Sequence, residues 1–331
     1  MRFPLLLSLL LLCLTAAAAE AAGLRTFELP GGEGSPVLEG AIWTPCDRPP
    51  AAVRLRRIEV PAVPDCPTQG EDLPLVVISH GARGWYGGHH DTAAALADAG
   101  FVVTAVTHPE AAGRRWQRER PAAIERLIDY MLEEWPDRAR LDPERIGFFG
   151  FSRGGYTGLV LLGGEPDFRR VLGHCREVPS DPLCAPSDAR RAPQEATAAP
   201  APAAAPFPHD PRIRAAVIAA PLGLVFPPEG LAAVTAPLQL WRAEEDELAI
   251  HPYNAEAVFR ALPGEVDYRV VGGAGHFAFL APCSDRQVAA APAQCRDADG
   301  FDRAAFHQAF NAAVLAFFER TLSTARGSPQ R

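Results

Sequence analysis

The sequence predicts an α/β protein: a mostly parallel central sheet with helices on both faces. Two observations carry this. Short, uninterrupted apolar runs such as Leu75-Val76-Val77-Ile78-Ser79 suit strands buried on both faces, and they alternate with segments whose apolar residues recur at helical spacing. Alternation of that kind builds a parallel sheet with covered faces. A further observation agrees with it: Gly150-Phe151-Ser152-Arg153-Gly154 is set between an apolar run and a small-residue helix.

Three short β-type runs come first: Leu24-Leu29, Val37-Thr44 and Val53-Val60, punctuated by Gly31-Gly32 and Pro49-Pro50. After the run at 75–79, Asp91 to Ala99 reads as an Ala-rich helix stopped by Gly100, with Asp91 as its N-cap. Phe101 to Val106 is a second buried strand. A helix is expected from Pro121, a residue suited to a first turn. Ile124, Leu127, Ile128, Met131, Leu132 and Trp135 then form one apolar stripe. Ile146 to Phe149 is the next strand and Gly155 to Leu162 the next helix. Residues 164–210 carry no long periodic pattern, and Ala192 to Pro208 is dominated by Ala and Pro, an irregular insert after the helix at 155–162. Strands resume at Ile213-Ala219, Leu238-Trp241 and Val266-Val271. Asp302 to Leu322 places Phe306, Phe310, Val314 and Phe317 on one face of a closing helix.

The amino terminus sets the expected compartment. Met1-Arg2, the apolar run Leu5 to Leu14 and the small residues Ala16 to Ala22 follow the order of a secretory signal peptide. The run is shorter than the roughly 20 residues a membrane span needs, and Leu12 before Cys13 argues against lipid modification. The layout expected is a signal at residues 1–21, one domain over 22–323 and a tail at 324–331. Export to the periplasm or the exterior follows, with no stable membrane anchor. Loss of Cys13 leaves Cys46, Cys66, Cys175, Cys184, Cys283 and Cys295, an even set in an oxidising compartment. Short loops cost least to close, so the expected pairs are 46 with 66, 175 with 184 and 283 with 295. Each bond should contribute about 2–4 kcal/mol.

Composition excludes some chemistry. The 331-residue chain has a net charge of −8, against a nucleic-acid partner, and its 32 basic residues are all arginine. No lysine is present to form a Schiff base or to hold a phosphate. No cofactor is expected.

Within its strand–turn–helix context, G-x-S-x-G marks Ser152 as a nucleophile. A serine hydroxyl needs a base, and the base needs an acid that orients it. Of the downstream histidines, His276 is chosen, because Gly273-Ala274-Gly275 after a strand can aim an imidazole. His174 and His209 fall in the irregular insert, His251 reads as a surface residue, and His307 as a packing or surface residue. The acid should follow the strand at 238–241, where Glu244, Glu245, Asp246 and Glu247 cluster. Asp246 is the first choice, with Glu244 and Glu245 as alternatives. Backbone N–H groups of Ala82 and Arg153 are the candidate oxyanion donors, with His80 orienting the loop that carries Ala82. Gly87-Gly88-His89-His90-Asp91 lacks the further ligands of a metal site, and none is expected.

With these residues in view, the chain resembles the secreted bacterial α/β-hydrolases grouped as dienelactone-hydrolase-like or platelet-activating-factor-acetylhydrolase-like proteins. The resemblance covers residues 70 to 320. It rests on SHG at 79–81, VTHPE at 106–110, the Arg120-Pro121 helix, DPERIGFFGFSRGGYTG at 142–158 and GAGHFAFLAPC at 273–283. It implies the α/β-hydrolase fold, supports Ser152, Asp246 and His276 by position, and implies hydrolysis of a small-molecule carboxylic ester. Dienelactone hydrolases proper use a cysteine nucleophile where this chain has Ser152, so the dienelactone substrate does not carry over. A serine peptidase or amidase with the same residues is the alternative activity, and a noncatalytic binding module the alternative class.

Overall fold

The computed structural model describes residues 21–32, 34–109, 115–185, 206–290 and 293–323. Residues 1–20, most of the Ala/Pro-rich insert, Glu110 and the tail at 324–331 lie outside the described residues.

Continuous apolar runs require cover on both faces, and the sheet supplies it. β5 (Leu73–Ser79) and β6 (Val102–Val106) are buried at every position. They sit beside β7 (Leu141–Phe151), β8 (Ile213–Ala219), β9 (Leu238–Ala243) and β10 (Val266–Val271) in the order β10-β9-β8-β7-β5-β6. All five pairings in that stretch are parallel. The sheet continues through β2 (Leu38–Thr44), β1 (Gly23–Leu29), β4 (Ile58–Pro64) and β3 (Ala51–Leu55) to ten strands. β2 runs antiparallel to both β6 and β1.

Strand periodicity divides the core into two layers. Val76, Ile78, Val103 and Phe149 face α1 (His90–Asp98) and the last helix, packing with Leu96, Phe310, Val314 and Phe318. Leu75, Val77 and Phe148 face the other way, onto Ile124, Leu127, Ile128 and Met131 of α2 (Trp116–Glu133) and Tyr156 and Leu159 of α3 (Arg153–Leu161). Each such side chain, fully buried, contributes about 1.5–3 kcal/mol. The remaining helices are α4 (Arg169–Glu177), α5 (Ala255–Ala261), α6 (Asp285–Ala290) and α7 (Arg303–Thr321).

Several local expectations are corrected. The run Val53 to Val60 is not one strand but the hairpin β3–β4, turning at Arg56-Arg57. Arg56 adopts φ 53° without being glycine. Its guanidinium stacks over Trp85 and Tyr86, at 5.4 and 5.0 Å, and pairs with Glu39, contacts that offset the strain. α2 starts at Trp116, so Pro121 lies inside the helix rather than in its first turn. Proline has no N–H for the carbonyl four residues earlier. That carbonyl, of Gln117, accepts instead from the Tyr156 hydroxyl at 3.2 Å. α3 begins at Arg153, two residues before the expected start. α4 forms within the segment expected to be irregular. Few of its residues are buried, and tertiary ties hold it: the Cys175–Cys184 disulfide and a His174 Nε2–Asp181 Oδ2 contact of 2.7 Å.

Cys46 is bonded to Cys66, Cys175 to Cys184 and Cys283 to Cys295. No helix among the described residues is long and apolar enough to cross a membrane.

Candidate active site

Ser152 stands at the carboxyl end of β7, where strand turns directly into α3, with φ 55° and ψ −114°. The turn is tight enough to require both motif glycines. A Cβ on Gly154 would lie 1.8 Å from the Ser79 carbonyl oxygen, and one on Gly150 would lie 2.3 Å from the Gly154 oxygen. The strained serine is pinned by its backbone. Its N–H donates to Ala219 at 2.9 Å, and its carbonyl accepts from Tyr156 and Leu222 at 3.1 and 3.2 Å. Over-determined surroundings of this kind let an unfavourable backbone persist.

Two later strand ends bring the other groups in. His276 follows β10, and its Nε2 lies 3.0 Å from Ser152 Oγ. Asp246 follows β9, with its Oδ1 and Oδ2 at 2.9 and 3.0 Å from His276 Nδ1. Asp246 Oδ1 also accepts from the Leu248 and Ala249 amides at 3.0 and 2.6 Å, which fixes the carboxylate's rotation. Both His276 and Asp246 are buried. Positions 152, 246 and 276, each after a different strand, are thus joined in one hydrogen-bonded line.

Tertiary packing separates the four clustered carboxylates. Glu244, Glu245 and Glu247 are exposed, and only Asp246 turns inward. Two of the glutamates brace the histidine loop instead. Glu244 Oε2 accepts from the Gly273 N–H at 2.9 Å and Glu247 Oε2 from the His276 N–H at 2.8 Å. The remaining downstream histidines stand elsewhere: His209 and His251 are exposed, and His174 is paired with Asp181.

Behind His276 lies a buried polar network that sequence reading did not assemble. His307 Nε2 contacts the Ala278 carbonyl at 2.8 Å, and its Nδ1 contacts Asp91 Oδ2 at 2.6 Å. Asn311 donates to the same carboxylate oxygen at 3.0 Å and accepts from Thr92 at 2.7 Å. Asp91 therefore does not cap α1, which has no side-chain cap. Burial disfavours its charge, but the hydrogen bond and positive charge of His307, with Asn311, hold it below the usual carboxylate range. His89 Nδ1 meets the Phe279 carbonyl at 3.1 Å, and burial pulls that imidazole down to about 4. The Gly87-to-Asp91 segment thus backs the His276 turn through α7. Among the described residues, the metal-like cluster is Cys46, Asp47 and Cys66, whose two sulfurs are spent in a disulfide.

The loop after β5 completes the site. Gly81 lies against Ser152: a Cβ placed on it would sit 3.3 Å from Ser152 Cβ. Ala82 follows Gly81 in the chain, and Arg153 follows Ser152 at the start of α3. The Arg153 guanidinium stacks on Trp116 at 4.7 Å.

Comparison with known proteins adds the following. No family model matches the chain. A curated relative named as an esterase, NocK, from Nocardia uniformis subsp. tsuyamanensis, is 31% identical over 142 residues, 40% of this chain and 41% of that protein. The match therefore spans about two fifths of the relative's length. Among solved structures, a ferulic acid esterase from Streptomyces cinnamoneus superposes with a TM-score of 0.59 at 22% identity, over 95% of this chain and 93% of that one. The chain has the α/β-hydrolase fold.

Proposed function

We propose that the chain is an exported serine hydrolase that cleaves carboxylic esters through an acyl-enzyme. The observation that carries this reading is the continuous path from Ser152 Oγ through His276 to a buried Asp246, each link 3.0 Å or shorter. In the proposed mechanism Ser152 Oγ attacks the ester carbonyl while His276 Nε2 takes its proton. Asp246 holds the imidazole with Nδ1–H toward the carboxylate and offsets the positive charge it gains. The Ala82 and Arg153 amides receive the oxyanion. His276 returns the proton to the departing alcohol, and water, activated by the same imidazole, releases the acid. The esterase names of the partial relative and of the structural neighbour support an ester rather than an amide substrate.

An initial-rate panel tests the activity. It should contain acetyl, butyryl and longer acyl esters, methyl ferulate and a peptide amide. At least one ester should turn over well above the amide. Cleavage of the amide with no ester turned over would make the protein a peptidase, and no turnover with no fluorophosphonate labelling would make it a binding module.

Export is supported by the signal-like first 21 residues and by three disulfides, which persist in oxidising compartments. N-terminal sequencing of the exported protein should begin between residues 20 and 22. A retained Met1 in the exported form would overturn cleavage.

A further inference from the structure

Arg120 is 2% exposed, yet it carries a charge into the layer between α2 and the sheet. A buried guanidinium is tolerated only where acceptors meet it. Its Nη2 donates to the His80 carbonyl and lies 3.5 Å from the Gly81 carbonyl oxygen and 3.2 Å from His80 Nδ1. His80 reinforces this arrangement. Its Nδ1 donates to the Gly81 carbonyl at 2.6 Å, while its Nε2 accepts the His108 backbone N–H at 2.9 Å. Burial and the Arg120 charge keep the imidazole neutral, as this division of donor and acceptor requires. The Gly81 carbonyl also accepts the Gly84 N–H at 3.3 Å.

These contacts have a directional consequence. In a trans peptide the C=O and the following N–H point in opposite directions. Pinning the Gly81 carbonyl toward His80 and Arg120 therefore turns the Ala82 N–H away from them, and Gly81 itself abuts Ser152, since a Cβ placed on it would lie 3.3 Å from Ser152 Cβ. The frame closes on itself: Arg120 is on α2, α2 is tied to α3 by the Tyr156–Gln117 hydrogen bond, and Ser152 immediately precedes α3.

We infer that Arg120 is a positioning residue for the oxyanion site: it holds the 80–81 carbonyls inward and so aims the Ala82 amide at the oxygen that forms on the substrate. The role rests on the serine-hydrolase reading above. Arg120 touches no reacting atom and acts through the loop backbone.

The experiment compares Arg120→Met, Arg120→Gln and Arg120→Lys with the parent. It measures kcat and KM on an acetyl ester and the affinity for an aryl boronic acid, which forms a tetrahedral adduct on the serine. Loss of one oxyanion donor lowers kcat by about 100- to 1,000-fold, so loss of its aim in Arg120→Met should lower kcat on the order of 10- to 100-fold. KM should move little, and boronate affinity should weaken by the same factor as kcat/KM. Arg120→Lys, which keeps a cationic donor, should recover part of the loss. A folded Arg120→Met with parental kcat and boronate affinity overturns the role. Should that variant fail to fold, Arg120→Gln and Arg120→Lys decide: matched losses in kcat/KM and boronate affinity support it, and a loss of thermal stability alone overturns it. A parent that neither hydrolyses esters nor takes a fluorophosphonate overturns the serine-hydrolase reading itself. An active, labelled parent with an indifferent Arg120 series overturns only the positioning role.

Discussion

Ser152→Ala is expected to remove nearly all ester turnover, a fall in kcat on the order of 10⁶ by analogy with serine hydrolases, while leaving the fold in place. The hydroxyl is the proposed attacking group, and no neighbouring side chain can replace it. The elbow itself does not depend on that oxygen. It depends on the backbone bonds of residue 152 to Ala219, Tyr156 and Leu222, and on glycines at 150 and 154, all of which alanine leaves intact. Among the described residues, the side-chain hydrogen bond removed is the 3.0 Å link to His276 Nε2, so stability should change by about 1 kcal/mol or less. Fluorophosphonate labelling should vanish with activity. His276→Ala should lose a comparable factor, because residues that act as one unit are not additive. Retained turnover in a folded Ser152→Ala protein would remove the mechanism altogether.

Asp246→Asn should lower kcat on the order of 10⁴, equivalent to about 5 kcal/mol of transition-state stabilisation. The geometry gives a specific reason. The Leu248 and Ala249 amides demand an acceptor at the Oδ1 position, so an asparagine keeps its oxygen there and puts an NH₂ donor in the place of Oδ2, which lies 3.0 Å from His276 Nδ1. A donor facing Nδ1 makes that nitrogen the acceptor and moves the ring proton to Nε2. Nε2 then cannot take the Ser152 proton. Glu244→Gln and Glu245→Gln should change kcat by less than about 3-fold, as surface substitutions do. Steady-state kinetics on one ester across these variants decides the acid: a near-parental Asp246→Asn beside a crippled glutamate variant would reverse the assignment.

Much of the scaffold was legible because its signals are local. β5 and β6 are apolar at nearly every position, since both faces are covered, and their length excludes helices. Ser152 was legible for the same reason: the steric demand of the elbow falls on Gly150 and Gly154, within two residues of it. The start of α2, the Arg56-Arg57 turn and α4 were not. Each is held by distant partners, such as Tyr156 on Gln117 or Trp85 and Tyr86 on Arg56. Arg120 did leave a trace. It shares the i, i+4, i+7 spacing of Ile124, Leu127 and Met131, a charge on an otherwise apolar stripe, and such a charge needs buried acceptors.

The sequence by itself determined the order of the six parallel strands, the position of the strained serine and the histidine-bearing glycine loop, because hydrophobic period and turn sterics act between near neighbours. Only the tertiary structure decided which carboxylate meets His276. Glu244, Asp246 and Glu247 all carry the same charge within four positions. What distinguishes them is that the close of β9 turns residue 246 inward, onto the Leu248 and Ala249 amides and a ring 30 residues away, while Glu244 and Glu247 remain outside to brace the loop. The Asp91–His307–Ala278 and Arg120–His80–Gly81 supports belong to the same category, since each exists only when packing brings separate elements within hydrogen-bond reach.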